Sequence, residues 1–198
     1  MFLGSLILAT LTVVAMSGWL VGPLLWDELV TQREVQRLII SLNTGDTTER
    51  GNAAYELGVL GPKAADAIPD LMQAIHDDHS QVRNWVTWSL GRIGPPARPA
   101  VSELVDVLLN DDELWNRMLA AQSLGQIGPG AKEAVPALLE ALGVDWAPLR
   151  ANATVALGQI APDSPQVISA LTRFTQDEDP EVRTLAADAL GKAASHGH

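Results

Sequence analysis

From residue 34 onward the chain repeats itself about every 33 residues. A period of that length restricts the fold to a stack of similar supersecondary units. Leu-Gly stands at 57–58, 90–91, 124–125, 157–158 and 190–191, giving spacings of 33, 34, 33 and 33. Seven residues before those leucines stand Arg50, Arg83, Arg117, Arg150 and Arg183. Four residues after them come Gly61, Gly94, Gly128, Ala161 and Ala194, the first four each followed by proline. A second register holds Leu71, Leu104, Leu138 and Leu171, with Leu38 one period earlier. Each unit therefore reads as an Arg helix that starts after an acidic turn and stops at Gly-Pro, followed by a Leu helix. Asp179-Pro180-Glu181 supplies such a start, with an N-cap aspartate, proline in the first turn and a further acid. The Leu helices, as in IPDLMQAIHD and VPALLEALGVD, space apolar residues at i, i+3, i+4 and i+7. Neither helix can bury its apolar stripe alone, so neighbouring units must stack into one continuous core.

The stretches DEDPEVRTLAADALGKAA, LRANATVALGQIAP and VRNWVTWSLGRIGP resemble the HEAT-repeat family, in particular its short variety related to phycobilisome lyases. The resemblance covers residues 34–194 and implies a right-handed α-solenoid whose Arg helices line the concave face. The expected organisation is a half-unit at 34–42, full units at about 47–79, 80–113, 114–146 and 147–179, and a closing helix at 180–194. The third unit departs from the pattern. It carries one extra residue in NDDELWNR, and Asn116 stands where Val or Leu usually precedes the arginine.

The first 26 residues, MFLGSLILATLTVVAMSGWLVGPLLW, contain no charged side chain. As a helix they would extend about 39 Å, more than the roughly 30 Å hydrocarbon core of a bilayer. The expected fold class is therefore all-α: an α-solenoid of HEAT-like helix pairs preceded by one transmembrane helix, with residues 27–198 as the repeat domain. Trp19 and Trp26 fall where an interfacial aromatic belt would lie, and Gly18 and Gly22 form a GxxxG pair that lets a second helix approach. Ala15-Met16-Ser17 resembles a cleavage site, but the n-region has no Lys or Arg and the apolar run is long for a signal peptide. Orientation has two readings. Arg33 and Arg37 follow the span and nothing basic precedes it, which favours a cytoplasmic repeat domain. A very short N-terminal tail with one anchor favours export, and the extracytoplasmic side is the expectation adopted.

Charge and composition exclude several functions. The formal charge is −11, from 24 acidic against 13 basic residues, and no basic stripe offers itself to nucleic acid. With no cysteine there is no disulfide, thiolate metal site or cysteine nucleophile. There is no Gly-rich phosphate loop and no Ser/His/Asp arrangement. His76 and His79 with Asp77 and Asp78 are weak metal candidates, since two histidines and carboxylates can hold a cation but equally close an acidic turn. Among proteins of similar repeats, an iron-dependent deoxyhypusine hydroxylase carries His-Glu pairs, which this chain lacks, and bilin lyases share the scaffold. The expectation is a chain that is not an enzyme, with no cofactor and no small-molecule substrate.

Two constellations remain. Asp46, Asp78, Asp112, Asp145 and Asp179 lie four or five residues before the five arginines, a spacing that suits an Asp–Arg ladder tying units together. The second is aromatic. Positions three, seven and ten after each arginine are uniformly small or aliphatic and form core columns, whereas positions two, five and nine accept Asn, Gln, Asp and Lys. Trp85, Trp88 and Tyr55 occupy those mixed columns, with Arg92 beside them, so they share an outward face of the composition that interfaces favour. Trp115 and Trp146, in acidic turns, are weaker candidates for contact with a membrane or partner. The function expected is a membrane-anchored, non-enzymatic scaffold or adaptor that binds a protein partner through Tyr55, Trp85, Trp88 and Arg92, as an accessory subunit of a membrane complex. The alternatives are a bilin-lyase-like or other enzyme-assisting protein and a metal-binding module.

Overall fold

A computed structural model describes residues 23–196. The chain divides into two units at Arg37/Leu38, and only 23–37 of the first unit are described. That portion is helical and belongs to α1 (Pro23–Thr44). Arg37 there pairs with Glu34 one turn away.

The second unit is built from helix pairs. The Arg helices are α2 (Thr47–Leu60), α4 (Ser80–Ile93), α6 (Leu114–Ile127), α8 (Ala147–Ile160) and α10 (Pro180–His196). Between them lie α3 (Ile68–Ala74), α5 (Val101–Asn110), α7 (Val135–Ala141) and α9 (Pro165–Phe174). Successive Arg helices pack on one another, and each Leu helix packs on the Arg helix that follows it, giving a two-layered repeat solenoid.

The Gly-Pro stop works through backbone geometry. Gly61, Gly94 and Gly128 all take positive φ, between 57° and 74°, which a side chain with a Cβ strongly disfavours. The proline that follows cannot continue the α-helix, so the chain enters a 3₁₀ segment (Gly61–Ala67, Pro95–Ala100, Gly128–Ala134) before the Leu helix begins. The Leu helices are consequently shorter than the apolar pattern implies. Where Ala161 replaces glycine, no 3₁₀ segment forms and α9 starts directly at Pro165.

The predicted core columns are buried through most of the array: Ala53, Val86, Ala120, Ala153 and Ala186, then Leu57, Leu90, Leu124 and Leu157, then Ile93, Ile127 and Ile160, with Leu71, Leu104, Leu138 and Leu171 from the other layer, whereas Leu60, Leu190 and Ala193 are only half-buried. The glycine of Leu-Gly has a separate role. A Cβ on Gly91 would lie 2.8 Å from the Ser123 Cα, and one on Gly125 would lie 3.0 Å from the Ala156 Cα. These glycines let adjacent Arg helices approach to backbone contact, and Ser89 and Ser123 each tie their Arg helix to the preceding one by donating to the Ala54 and Thr87 carbonyls.

The expected membrane location is corrected here. Among the described residues no helix is long and apolar enough to cross a membrane. The physical reason in α1 is charge, since its 22 residues include Asp27, Glu28, Arg33, Glu34 and Arg37. Gly18, Trp19 and Gly22, the side chain of Trp26, and most of the expected span at 1–26 lie outside the described residues.

Candidate functional site

The ladder arginines act as clamps across successive turns. Arg50 donates from Nε and Nη2 to both oxygens of Asp77, at 2.7 and 3.0 Å. Arg83 does the same to Asp111, at 2.7 and 3.1 Å, and Arg150 to Asp177, at 2.9 Å for both bonds. The remaining Nη1 turns back to a carbonyl of the arginine's own preceding turn: Gly45, Asp77 and Val144, respectively. Each of those aspartates also accepts from the backbone N–H two residues on, at His79, Glu113 and Asp179. One carboxylate thus shapes its own turn and holds the previous unit.

The carboxylates differ from those the spacing selected. Asp77, Asp111 and Asp177 stand six residues before the next arginine, while Asp78, Asp112 and Asp145 stand five before it and point outward. Asp112 adds a contact to Arg83, and Glu178, in the same column, adds one to Arg150; Asp78 and Asp145 join no ion pair among the described residues. Asp46 and Asp179 are helix caps. Asp46 accepts from the Thr48 and Glu49 N–H groups in a capping box, and Asp179 from Glu181 and Val182. Among the described residues, Arg183 bonds to the Asp177 and Glu178 carbonyls.

Arg117 breaks the pattern. Its ladder position in the next turn is Val144, and Arg117 turns its Nε inward to the Leu108 carbonyl at 2.8 Å. The junction is held instead by tryptophan. The rings of Trp115 and Trp146 meet edge to face, with centroids 5.4 Å apart and planes at 79°. Asn116 is buried because it joins the rung of the preceding junction, donating to both Asp111 oxygens and accepting from Asn84.

The local electrostatics follow from these bonds. The Arg150 fork beside Asp177 holds its carboxyl below the usual value, against a smaller opposing push from burial. At Asp77 and Asp111 burial pushes upward most strongly, yet hydrogen bonds from Arg50 and Arg83, with backbone N–H groups, leave both carboxyls lowered.

Tyr55, Trp85 and Trp88 form a single ring cluster. Tyr55 stacks on Trp88 at 5.4 Å and meets Trp85 at 5.0 Å edge-on, while the two indoles contact each other at 5.8 Å. The Arg92 guanidinium carbon lies 5.7 Å from the Trp88 ring centroid, a cation–π arrangement. Tyr55 is 44 % exposed and Arg92 is exposed, but both tryptophans are half-buried. The reason is glycine: Trp88 lies against Gly58, and the Trp85 Cδ1 comes within 3.6 Å of a Cβ built on Gly51. Val59, also on the outward face, is 59 % exposed and extends the apolar patch.

His76 and His79 are both exposed; His79 Nδ1 lies 3.5 Å from an Asp77 oxygen already committed to Arg50. Among the described residues no three side chains of metal-ligating type gather at one point. The cleft of about 370 Å³ beside this turn is lined by Arg83, Asp106, Asn110 and Asp111 as well as His76, and Arg83 and Asp111 are neutralised by each other.

Paired helices stacked in two layers, with a polar ladder along one edge, define the class of α-solenoid repeat proteins. HEAT repeats match residues 35–113, 97–158 and 145–197, and the chain belongs to the HEAT-repeat family. Serine/threonine-protein kinase 36 of Mus musculus is 42 % identical over 45 residues, 23 % of this chain and only 3 % of the kinase. A chain from the complex of CpcE and CpcF of phycocyanin lyase from Nostoc sp. PCC7120 superposes with a TM-score of 0.62 at 22 % identity, over 78 % of this chain and 96 % of that one. A designed armadillo repeat protein in complex with the peptide (KR)4 gives a TM-score of 0.65 at 16 % identity, over 81 % of this chain and 88 % of that one. Likeness at these identities establishes the fold.

Proposed function

We propose that this chain is a non-enzymatic protein-interaction scaffold, an adaptor that holds a partner polypeptide on the outward face of its Arg helices. The observation that carries the reading is the Tyr55–Trp85–Trp88 cluster with Arg92 over it. The three rings sit in columns that sister helices fill with Gln122, Val155 and Asp188 or with Asn52, Leu119, Asn152 and Leu185. Stacking of the units does not require aromatic residues there, so the rings serve recognition. By the family resemblance this face is the concave one, where solenoids hold their partners. The peptide complex of a designed armadillo neighbour supports the same mode of use.

The half-buried indoles provide a rigid floor, while Tyr55 and Val59 offer exposed contact area and Arg92 a directed donor. Truncating Tyr55 therefore removes recognition surface with little effect on packing. Affinity recovery of partners with the full chain, followed by mass spectrometry, tests the proposal. Proteins recovered by the wild type should be lost with Tyr55→Ala and Arg92→Ala. Undiminished recovery with both variants, and with Trp85→Ala plus Trp88→Ala, would overturn it.

A further inference from the structure

Trp115 is the most exposed described aromatic side chain, at 61 %, and its ring pairs with Trp146 instead of joining the cluster just discussed. It occupies the second position of α6, beside the exposed Leu114, and its ring meets that of Trp146, the N-cap residue of α8. Contact between the two indoles secures the junction but leaves most of Trp115 facing solvent. An exposed indole and leucine side by side form a contact surface that stacking of the units does not use.

Charge identifies what that surface takes. The five turns at 45–50, 76–83, 110–117, 143–150 and 176–183 contain twelve Asp and Glu against five Arg and no Lys, so most of the net charge of −11 lies along this one edge. At the tryptophan pair the neighbours are Asp112, Glu113 and Asp145, all exposed. Asp112 touches Arg83 and Glu113 adds to the negative field there, while among the described residues neither Glu113 nor Asp145 forms a salt bridge. Arg117 is the opposing charge, and its Nε is turned inward to Leu108. The junction keeps four carboxylates, Asp111, Asp112, Glu113 and Asp145, against Arg83, Arg117 and Arg150, the last already clamped to Asp177 and Glu178.

We propose that the Trp115–Trp146 edge docks a basic segment of a protein partner, with an arginine or lysine of that segment over the Trp115 ring and its neighbours paired to Glu113 and Asp145. An indole face attracts a cation through its quadrupole, and the aliphatic stem of Arg or Lys covers a leucine such as Leu114 while its head stays hydrated. An acidic segment meets repulsion from the whole edge, which selects the sign of the partner. The proposal does not depend on the reading of the Tyr55 face.

Fluorescence anisotropy of a labelled oligo-arginine peptide titrated with the full chain provides the test, with an oligo-glutamate peptide as control. The arginine peptide should bind, more weakly as salt rises, and the glutamate peptide should not. Trp115→Ala should lower affinity about tenfold, and so should Glu113→Gln with Asp145→Asn, which alters only exposed side chains. Trp85→Ala with Trp88→Ala should leave binding unchanged, which separates this edge from the scaffold face. Three results would overturn the proposal: equal binding of the glutamate peptide, wild-type affinity in the folded Trp115→Ala chain, or loss only with the Trp85/Trp88 variant.

Discussion

Asp177→Ala is the most incisive perturbation of the stacking ladder. It deletes a carboxylate that accepts both Arg150 bonds at 2.9 Å and the Asp179 N–H at 2.8 Å. The two side chains are only 7 % and 6 % exposed, so the arginine left behind stays largely out of water. Removing one partner of a buried pair costs about 3–5 kcal/mol; Glu178, 77 % exposed, still touches Arg150, so the low end, about 3 kcal/mol, is expected. For a chain of this size that corresponds to a fall in Tm of roughly 6–12 °C. Replacing both members, as Arg150→Met with Asp177→Ala, should recover much of the loss, because no uncompensated charge remains. The pH dependence has a defined sign. Asp177 is lowered in the folded chain, so its stabilisation is complete above the ordinary carboxylate value of about 3.9 and disappears as pH falls through the lower folded value. Urea unfolding of wild type, single and double variants at neutral and acidic pH measures all of this, with amide exchange in α8 and α10 reporting the local junction. A single variant within about 0.5 kcal/mol of wild type, or a double variant that loses the sum of both changes, would refute the reasoning.

The other expectations are smaller. Val144→Asp places a carboxylate at the vacant ladder position and should stabilise by about 0.5–1 kcal/mol if the Arg117 fork turns to it; loss of stability would mean that its bond to Leu108 is preferred. Thr154→Val removes a buried hydroxyl without a partner and should raise stability by about 1 kcal/mol in denaturant unfolding. Gly91→Ala gains about 1 kcal/mol of helix propensity but drives a methyl toward the Ser123 Cα, so a net loss of about 1–2 kcal/mol is expected in the same measurement.

The period made the core legible because burial depends on column, and columns survive exchange of one aliphatic residue for another. Leu57, Leu90, Leu124 and Leu157 are buried for that reason. The outward columns were legible only in part. Their alignment with Gln122 and Asp188 indicates direction, but an indole is broad enough to reach back across Gly51 and Gly58 of the neighbouring helix. The ladder partners were obscured by abundance, since the turns read DD, DDE and DED, and any of several carboxylates suits an arginine in sequence. Turn geometry chooses the one six residues before the next arginine, because the same oxygen must also cap the backbone two residues on. The Trp115–Trp146 contact had no periodic signal, since the two residues lie 31 apart in turns of different length. Charge-free composition at 1–26 pointed to a membrane span, whereas helix formation is continuous from Pro23 into the charged sequence up to Thr44.

The repeats also act as controls for one another. Three rungs with bidentate carboxylates demonstrate what stacking needs, and the fourth position dispenses with it. Around that position the departures coincide: the inserted residue before α6, Asn116 in place of an aliphatic residue, Val144 in place of aspartate, and tryptophans in two adjacent turns. Asn116 is absorbed by the fold, since it braces Asp111 and Asn84. Val144 is partly compensated, since the indole contact bridges the junction that its missing carboxylate would have clamped. The exposure of Trp115 is compensated by nothing among the described residues. A buried aliphatic pair would bridge the junction as well without placing an indole in water, so stacking alone accounts for the contact and not for the exposed ring. That remainder, beside Glu113 and Asp145, is the surface on which the proposed basic segment would dock.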